Sequence, residues 1–259
     1  MPRFRTTTEV MEALRERNRL LGKGNARINE WVDEYLDSRV AEGKDVTLLT
    51  QWCVSKELEV RYRAQGGCFE PTKQEQTLFG TTMPWLVNLL EAHGFRQSWW
   101  LTFNRNCLES GRVDANLEAE YKRLIMGIAE LLVRQGWLFV VDWEDDILGV
   151  RSYPNREVFA AVDAFVAPAA FQREMDRHIS WEAEAGLIQN ELARKQDVRY
   201  QIACEAEEGR VLLDREGPFG DFILVPVERA ERYDFFRILV PEFKRRIVAV
   251  LPTNPWRLG

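Results

Sequence analysis

The stretch from Trp137 to Asp146 constrains the fold of this chain more than any other. Its first five residues are apolar, and four of the next five are carboxylates. A short, unbroken apolar run is typical of a β-strand that is buried on both faces. We therefore predict a central strand at 137–142. Because ligand sites in open α/β sheets lie at the carboxyl ends of strands, the acids that follow it are candidates for a functional site.

Further strands are predicted on both sides of this stretch, and helical patterns separate them. The predicted strands are 46–53, 98–103, 222–227 and 247–251, and the predicted helices are 6–22, 25–42, 56–63, 84–92, 114–134, 156–166, 169–194, 197–213 and 229–239. Residues 64–82 are predicted to form a loop, with one helical turn near Gln76. Alternating strands and helices indicate a Rossmann-like α/β fold, with a mostly parallel sheet and helices on both faces.

The sequence shows no internal repeat and no low-complexity linker. We therefore expect one Rossmann-like domain over 45–259, with the N-terminal helices of 1–44 packing on it. Within that domain, the helices of about 156–213 are expected to form a layer of their own.

Charge and hydropathy limit the classes of partner. The net charge is −6, which disfavours general polyanion binding. No apolar run approaches the roughly 20 residues that a membrane-spanning helix requires, and residues 1–10 lack the apolar core of a signal peptide. We expect a cytoplasmic protein with no membrane partner.

Sequence motifs for metals and cofactors are absent. The four cysteines are widely spaced, the two histidines are His93 and His178, and no Gly-rich nucleotide-binding motif is present. We therefore predict neither a metal site nor a cofactor.

The acids after the strand at 137–142 are the first candidate site. Crowded carboxylates raise one another's pKa and can supply a general acid or base, or bind a divalent cation. Asp142 and Glu144, which lie nearest to the strand end, are the candidates for proton transfer. Asp145 and Asp146 are expected to face solvent.

The end of the first strand is the second candidate site. Cys53 and Ser55 lie where this strand turns into a helix, and a thiol or hydroxyl beside a helix N-terminus can act as a nucleophile. The alternative is a buried Cys53 and a Ser55 that caps the helix.

A third candidate lies on the helix predicted at 197–213. Tyr200 and Glu205 are separated by about one helical turn and could converge on a substrate amine. The alternative is a solvated acidic face, which we expect for Glu207 and Glu208.

Additional side chains at the strand ends are assigned to substrate binding. Asn104, Arg105 and Arg112 follow the second strand, where an arginine could bind a carboxylate or phosphate. Trp52 and Trp143 lie at the ends of the first and third strands and offer flat surfaces to a substrate.

In length and layout the chain resembles the tRNA-dependent cyclodipeptide synthases. The resemblance covers about 40–255 and rests on Ser55 after the first strand, Gly111-Arg112 before a long helix, Tyr200 and Glu205, and two closing strands. It implies a Rossmann-like domain related to class I aminoacyl-tRNA synthetases, with Ser55 as the nucleophile and aminoacyl-tRNA as a partner. The chain differs from the family in having Cys53 and Val54 before Ser55, and Cys204 four positions after Tyr200.

Three functional hypotheses follow. The first is a transferase or ligase of specialised metabolism that acts on an activated amino acid. The second is a tRNA-independent enzyme that acts on a free amino acid or amine. The third is a non-catalytic binding protein, in which the acids of 142–146 could be replaced by amides without loss of function.

Overall fold

The computed structural model describes most of the first 149 residues and part of the remainder. The described positions are 7–20, 30–53, 57–104, 114–149, 169, 172, 173, 175, 176, 179, 180, 208, 209, 211, 212, 214 and 219–225. The helices and strands are α1 (Thr7–Leu20), α2 (Glu30–Glu42), β1 (Val46–Cys53), α3 (Glu57–Ala64), α4 (Lys73–Thr77), the π-helical segment π1 (Leu78–Thr82), α5 (Met83–Ala92), β2 (Gln97–Asn104), α6 (Ala115–Arg134), β3 (Leu138–Asp142), the π-helical segment π2 (Trp143–Leu148) and β4 (Ile223–Leu224).

The four described strands form one parallel sheet in the order β3-β2-β1-β4. Helices flank this sheet, so the α/β prediction with a parallel, Rossmann-like sheet is confirmed. On one side of β1 lies β2, followed by β3, and on the other side of β1 lies β4. The strand order therefore reverses between β1 and β4, which is where open α/β sheets place their ligands.

Alternate side chains of the strands divide the sheet into two faces. On the core face lie Leu48, Trp99 and Leu138, which are in register and belong to the main apolar cluster. Apolar residues of α1, α2, α5 and α6 join the same cluster. The opposite face carries Leu49, Gln51, Trp100, Thr102 and Phe139, and on it the ring of Trp100 stacks on Phe139 and meets the edge of Phe219.

Local sequence explains where α6 begins and ends. Asp114 is the N-cap, and its carboxylate accepts hydrogen bonds from the backbone amides of Asn116 and Leu117. The side chains of Tyr121, Ile125, Ala129 and Leu132 follow at helical spacing and are buried. Gly136 follows the helix with a φ of 71°, a conformation that glycine adopts without steric cost.

Two predictions about the opening stretch and the loop region are wrong. Strand β3 lies at one end of the described sheet, and the side chain of Phe139 is 41% exposed, so the strand is not buried on both faces. Residues 73–82, predicted to be loop, continue through α4 and π1 into α5. The helix at 229–239 and the strand at 247–251 lie outside the described residues, as do most positions of the three helices predicted over 156–213.

Candidate functional site

A buried ionic network lies on the core face at the carboxyl end of β1. Glu75 on α4 accepts hydrogen bonds from both terminal nitrogens of Arg61 on α3, at 2.6 and 2.9 Å. Its Oε1 also accepts a 2.6 Å hydrogen bond from the hydroxyl of Tyr121 on α6. Its Oε2 accepts a 2.8 Å hydrogen bond from the backbone amide of Thr72. These four donors fill the acceptor sites of one carboxylate, so Glu75 has no capacity left for a substrate.

The electrostatics of the network follow from burial. The pKa of Tyr121 is raised well above its ordinary value, first by burial and then by the negative charge of Glu75. Burial would lower the pKa of Arg61, but its hydrogen bonds and ion pair with Glu75 outweigh this and raise it. The network therefore keeps Arg61 charged and Tyr121 neutral. In these forms the two side chains hold α3, α4 and α6 together through Glu75.

Sequence reasoning did not find this network, although the sequence carries one signal for it. Thr72 and Glu75 have the spacing of a capping box, and Thr72 Oγ1 accepts a 3.1 Å hydrogen bond from the backbone amide of Glu75. That motif indicates a helix start at Thr72, inside the segment predicted to be loop. The motif does not indicate that the carboxylate is also buried against Arg61 and Tyr121.

Asp142 at the end of β3 and the three acids that follow it have different environments. Both oxygens of Asp142 accept from Nζ of Lys122 at 2.5 Å, and this lysine also lies 5.3 Å from the ring centroid of Phe103. Asp146 accepts a 2.7 Å hydrogen bond from the backbone amide of Asp142. Glu144 is fully buried, whereas Asp145 and Asp146 are exposed as predicted.

A second buried polar group lies on the opposite face of the sheet. Gln51 on β1 and Thr102 on β2 are register partners, so their side chains are neighbours on this face. Nε2 of Gln51 lies 3.5 Å from Oε2 of Glu208, at the long limit of a hydrogen bond. All three side chains are buried, with exposed fractions of 5% or less. We call Gln51, Thr102 and Glu208 the polar row.

The position of Glu208 corrects an expectation. The solvated acidic face expected there is wrong for Glu208, whose side chain is 1% exposed and contacts β1. The partner, Gln51, is 157 positions away. Helical periodicity therefore could not reveal this burial.

The remaining predicted site residues divide into two groups. Trp52 and Trp143 are fully buried, and Trp52 packs in the core against Phe79 and Tyr121, so neither ring presents a surface to solvent. The other group consists of Ser55, Arg105, Arg112, Tyr200 and Glu205, and it lies outside the described residues together with the side chains of Cys53 and Asn104. The backbones of Cys53 and Asn104 are register partners at the carboxyl ends of β1 and β2.

Within the described positions, no group of three or more His, Cys, Asp or Glu side chains is arranged to hold a metal ion. None of the described helices is both long and apolar enough to cross a membrane.

Comparison with known proteins found no matching family, curated protein or solved structure.

Proposed function

We propose that this chain is a biosynthetic transferase of the cytoplasm that acts on an activated amino acid, with aminoacyl-tRNA as the acyl donor and a cyclodipeptide-type peptide bond as the product. The reversal of strand order between β1 and β4 carries the proposal. In open α/β sheets this reversal opens a crevice at the carboxyl ends of the strands. Cys53 ends β1 beside that crevice, and Ser55 follows two positions later.

The first chemical step is acyl transfer to the enzyme. The Ser55 hydroxyl, or the Cys53 thiol in its place, attacks the ester carbonyl of aminoacyl-tRNA. The ester bond to the ribose breaks, and the proton of the nucleophile goes to the ribose oxygen that leaves. The product is a covalent aminoacyl-enzyme, which is the intermediate expected of nucleophilic catalysis.

Other side chains are proposed for substrate binding and for proton transfer. Tyr200 and Glu205 are proposed to hold the α-amino group, and Asn104, Arg105 and Arg112 to contact the donor. Glu144 and Asp142 are both proposed for proton transfer, and both oxygens of Asp142 accept hydrogen bonds from Lys122.

Intact-mass spectrometry after incubation with charged tRNA tests the proposal. The wild-type chain is expected to gain the mass of one aminoacyl group, and Ser55→Ala or Cys53→Ala is expected to abolish that gain. Cys68→Ala is the matched control, because Cys68 is an exposed free thiol remote from the strand ends in sequence. An adduct that survives both substitutions, or none on the wild type, contradicts the proposal.

A second candidate is an enzyme that acts on a free amino acid or amine without tRNA. The net charge of −6 and the carboxylates that follow β3 favour it, since phosphate contacts by basic residues dominate nucleic-acid affinity. Titration with labelled tRNA at low salt separates the candidates. Absence of binding, together with a rise in melting temperature on adding an amino acid, favours this second function.

A further inference from the structure

The guanidinium group of Arg17, near the end of α1, lies over the indole ring of Trp85 at the start of α5. Its Cζ atom is 4.3 Å from the ring centroid. Nη2 donates a 3.4 Å hydrogen bond to Oγ1 of the buried Thr82, and the buried Nε has no hydrogen-bond partner among the described residues. Stacking on a ring occupies the face of the guanidinium plane, so its N–H groups point to acceptors in that plane.

The charge of Arg17 has no counterion among the described residues. Arg61 also lies beside aromatic rings, but it pairs with Glu75. No described carboxylate forms such a pair with Arg17. Partial burial lowers the pKa of Arg17 from its ordinary value, because it removes water from the charged form. A half-buried cation that the protein leaves without a carboxylate is suited to bind an anion from outside the chain.

Contacts at the two ends of α5 show which way α1 runs. Oε2 of Glu9, in the first turn of α1, lies 3.0 Å from Nδ1 of His93 just after α5, whereas Arg17 contacts Thr82 just before α5. The two helices are therefore antiparallel. Because α5 leads into the amino end of β2, Arg17 lies about 16 Å farther toward the carboxyl ends of the strands than Glu9 does. The proposed acyl-transfer site lies at that same edge of the sheet.

We propose that Arg17, stacked on Trp85, binds a backbone phosphate of tRNA. This inference rests on the proposed function, in which aminoacyl-tRNA is the acyl donor. The α-carboxyl group of that donor is esterified, so the anions that it offers are phosphates. Arginine binds phosphate oxygens through paired N–H groups, and such a contact positions the nucleic acid without reading its bases.

The charge of the sequence around Arg17 favours a polyanion, although the whole chain is acidic. Residues 15–29 contain five Lys or Arg and one acidic residue, Glu16, in a chain whose net charge is −6. A local excess of positive charge speeds the encounter with a polyanion. The net charge of the whole chain is therefore compatible with a tRNA contact at Arg17.

Titration of labelled, uncharged tRNA with the full chain, over a series of salt concentrations, tests the inference. Arg17→Gln is expected to weaken binding about tenfold at low salt, as for one lost hydrogen bond to a charged group. It should also reduce the steepness of log affinity against log salt by about 1, as for one lost phosphate contact. Arg17→Lys keeps the positive charge and is expected to retain the steepness of the wild type. If Arg17 only packs against Trp85, neither substitution changes the salt dependence.

Arg134→Gln is the matched control. Arg134 is also a helical arginine, but its side chain is exposed and lies 3.7 Å from Glu130 near the end of α6. Loss of this charge is expected to leave both the affinity for tRNA and its salt dependence unchanged. Melting temperatures without tRNA establish that each variant is folded. Unchanged salt dependence in Arg17→Gln, or an equal loss in Arg134→Gln, overturns the inference.

Inorganic phosphate distinguishes tRNA from a small phosphorylated ligand. A rise in melting temperature with inorganic phosphate that requires Arg17, in a protein whose tRNA binding does not, would assign the site to a small phosphate. That result overturns the inference. Weaker tRNA binding by Arg17→Gln, with equal effects of inorganic phosphate on the wild type and on this variant, supports it.

The mass measurement of the aminoacyl-enzyme separates this inference from the proposed function. An aminoacyl-enzyme that forms in the wild type, with tRNA binding that does not depend on Arg17, supports the function and rejects the phosphate site. Binding of tRNA that depends on Arg17, without any aminoacyl-enzyme, supports the phosphate site and rejects acyl transfer. Absence of tRNA binding by the wild type rejects both.

Discussion

The hydroxyl of Tyr121 donates a 2.6 Å hydrogen bond to Glu75, a residue that lies 46 positions earlier in the chain. The same carboxylate pairs with Arg61, and all three side chains are buried. A single acidic group thus joins α3, α4 and α6 beside the carboxyl end of β1. The segment between α3 and α5 is consequently fixed to the core rather than free to cover the strand ends.

Removal of the Glu75 carboxylate is expected to lower the free energy of unfolding more than removal of the Tyr121 hydroxyl. Glu75→Ala leaves the Arg61 charge buried without its partner, which costs about 3–5 kcal/mol in the free energy of unfolding. Tyr121→Phe removes one hydrogen bond to a charged group, a loss of about 1.5–3 kcal/mol. Urea unfolding checks both values. Glu59→Gln is the control, because its 3.8 Å ion pair with the exposed Arg63 should contribute less than about 1 kcal/mol.

Alkaline conditions are expected to destabilise the fold through buried tyrosines. Burial is the main cause of the raised pKa of both Tyr121 and Tyr35. Because each pKa is higher in the folded than in the unfolded chain, the stability that these groups contribute is complete below about pH 10 and is lost as the pH rises further. Urea unfolding over a pH series should show this decline, and Tyr121→Phe should make it shallower. An identical slope in that variant would contradict the assignment.

Two buried threonines, Thr50 and Thr102, are expected to respond oppositely to the same substitution. Thr50→Val removes the hydroxyl that accepts from the indole nitrogen of Trp99 and donates to the carbonyl of Val225. The loss should lower the free energy of unfolding by about 1–3 kcal/mol. Thr102→Val removes a hydroxyl without a partner among the described residues and should leave the free energy of unfolding unchanged or raise it. Denaturant unfolding without ligand measures both. A comparable loss in the two variants would mean that Thr102 is hydrogen-bonded in solution.

The ion pair between Lys122 and Asp142 is expected to be a modest stabiliser. Both side chains are less than one-third exposed, and the pair joins α6 to the carboxyl end of β3. A double-mutant cycle with Lys122→Met and Asp142→Asn should give a coupling energy of about 1 kcal/mol that falls with added salt. Coupling near zero would show that the pair does not persist in solution.

Local patterns predicted much of the described fold. The apolar runs of β1, β2 and β3 and the helical spacing of α6 lie within short windows of sequence, and their bounds differ from the predictions by one residue at most. Strand order depends instead on which strands pair, so the end position of β3 and the exposure of Phe139 were not predicted.

The candidate site was less accessible to sequence reasoning, because its contacts join distant residues. The burial of Glu75 depends on Arg61 and Tyr121, and that of Glu208 involves Gln51. Neither pairing falls within one helix or one strand. The chemistry assigned to Ser55, Tyr200 and Glu205 remains a prediction, since these residues lie outside the described positions.

The pairing of β1 with β4 also affects the order in which the protein can assemble during translation. Thr50 donates to the carbonyl of Val225, which is 175 positions later, whereas β2 follows β1 within about 50 residues. At ribosomal rates of about 5–20 residues per second, the edge of β1 that will receive β4 waits about 9–35 s for it. Until then, Leu48 and Leu49 lie on an unpaired strand edge, which is open to association with other nascent chains. Expression should therefore be more sensitive to truncations before β4 than the small size of that strand would suggest.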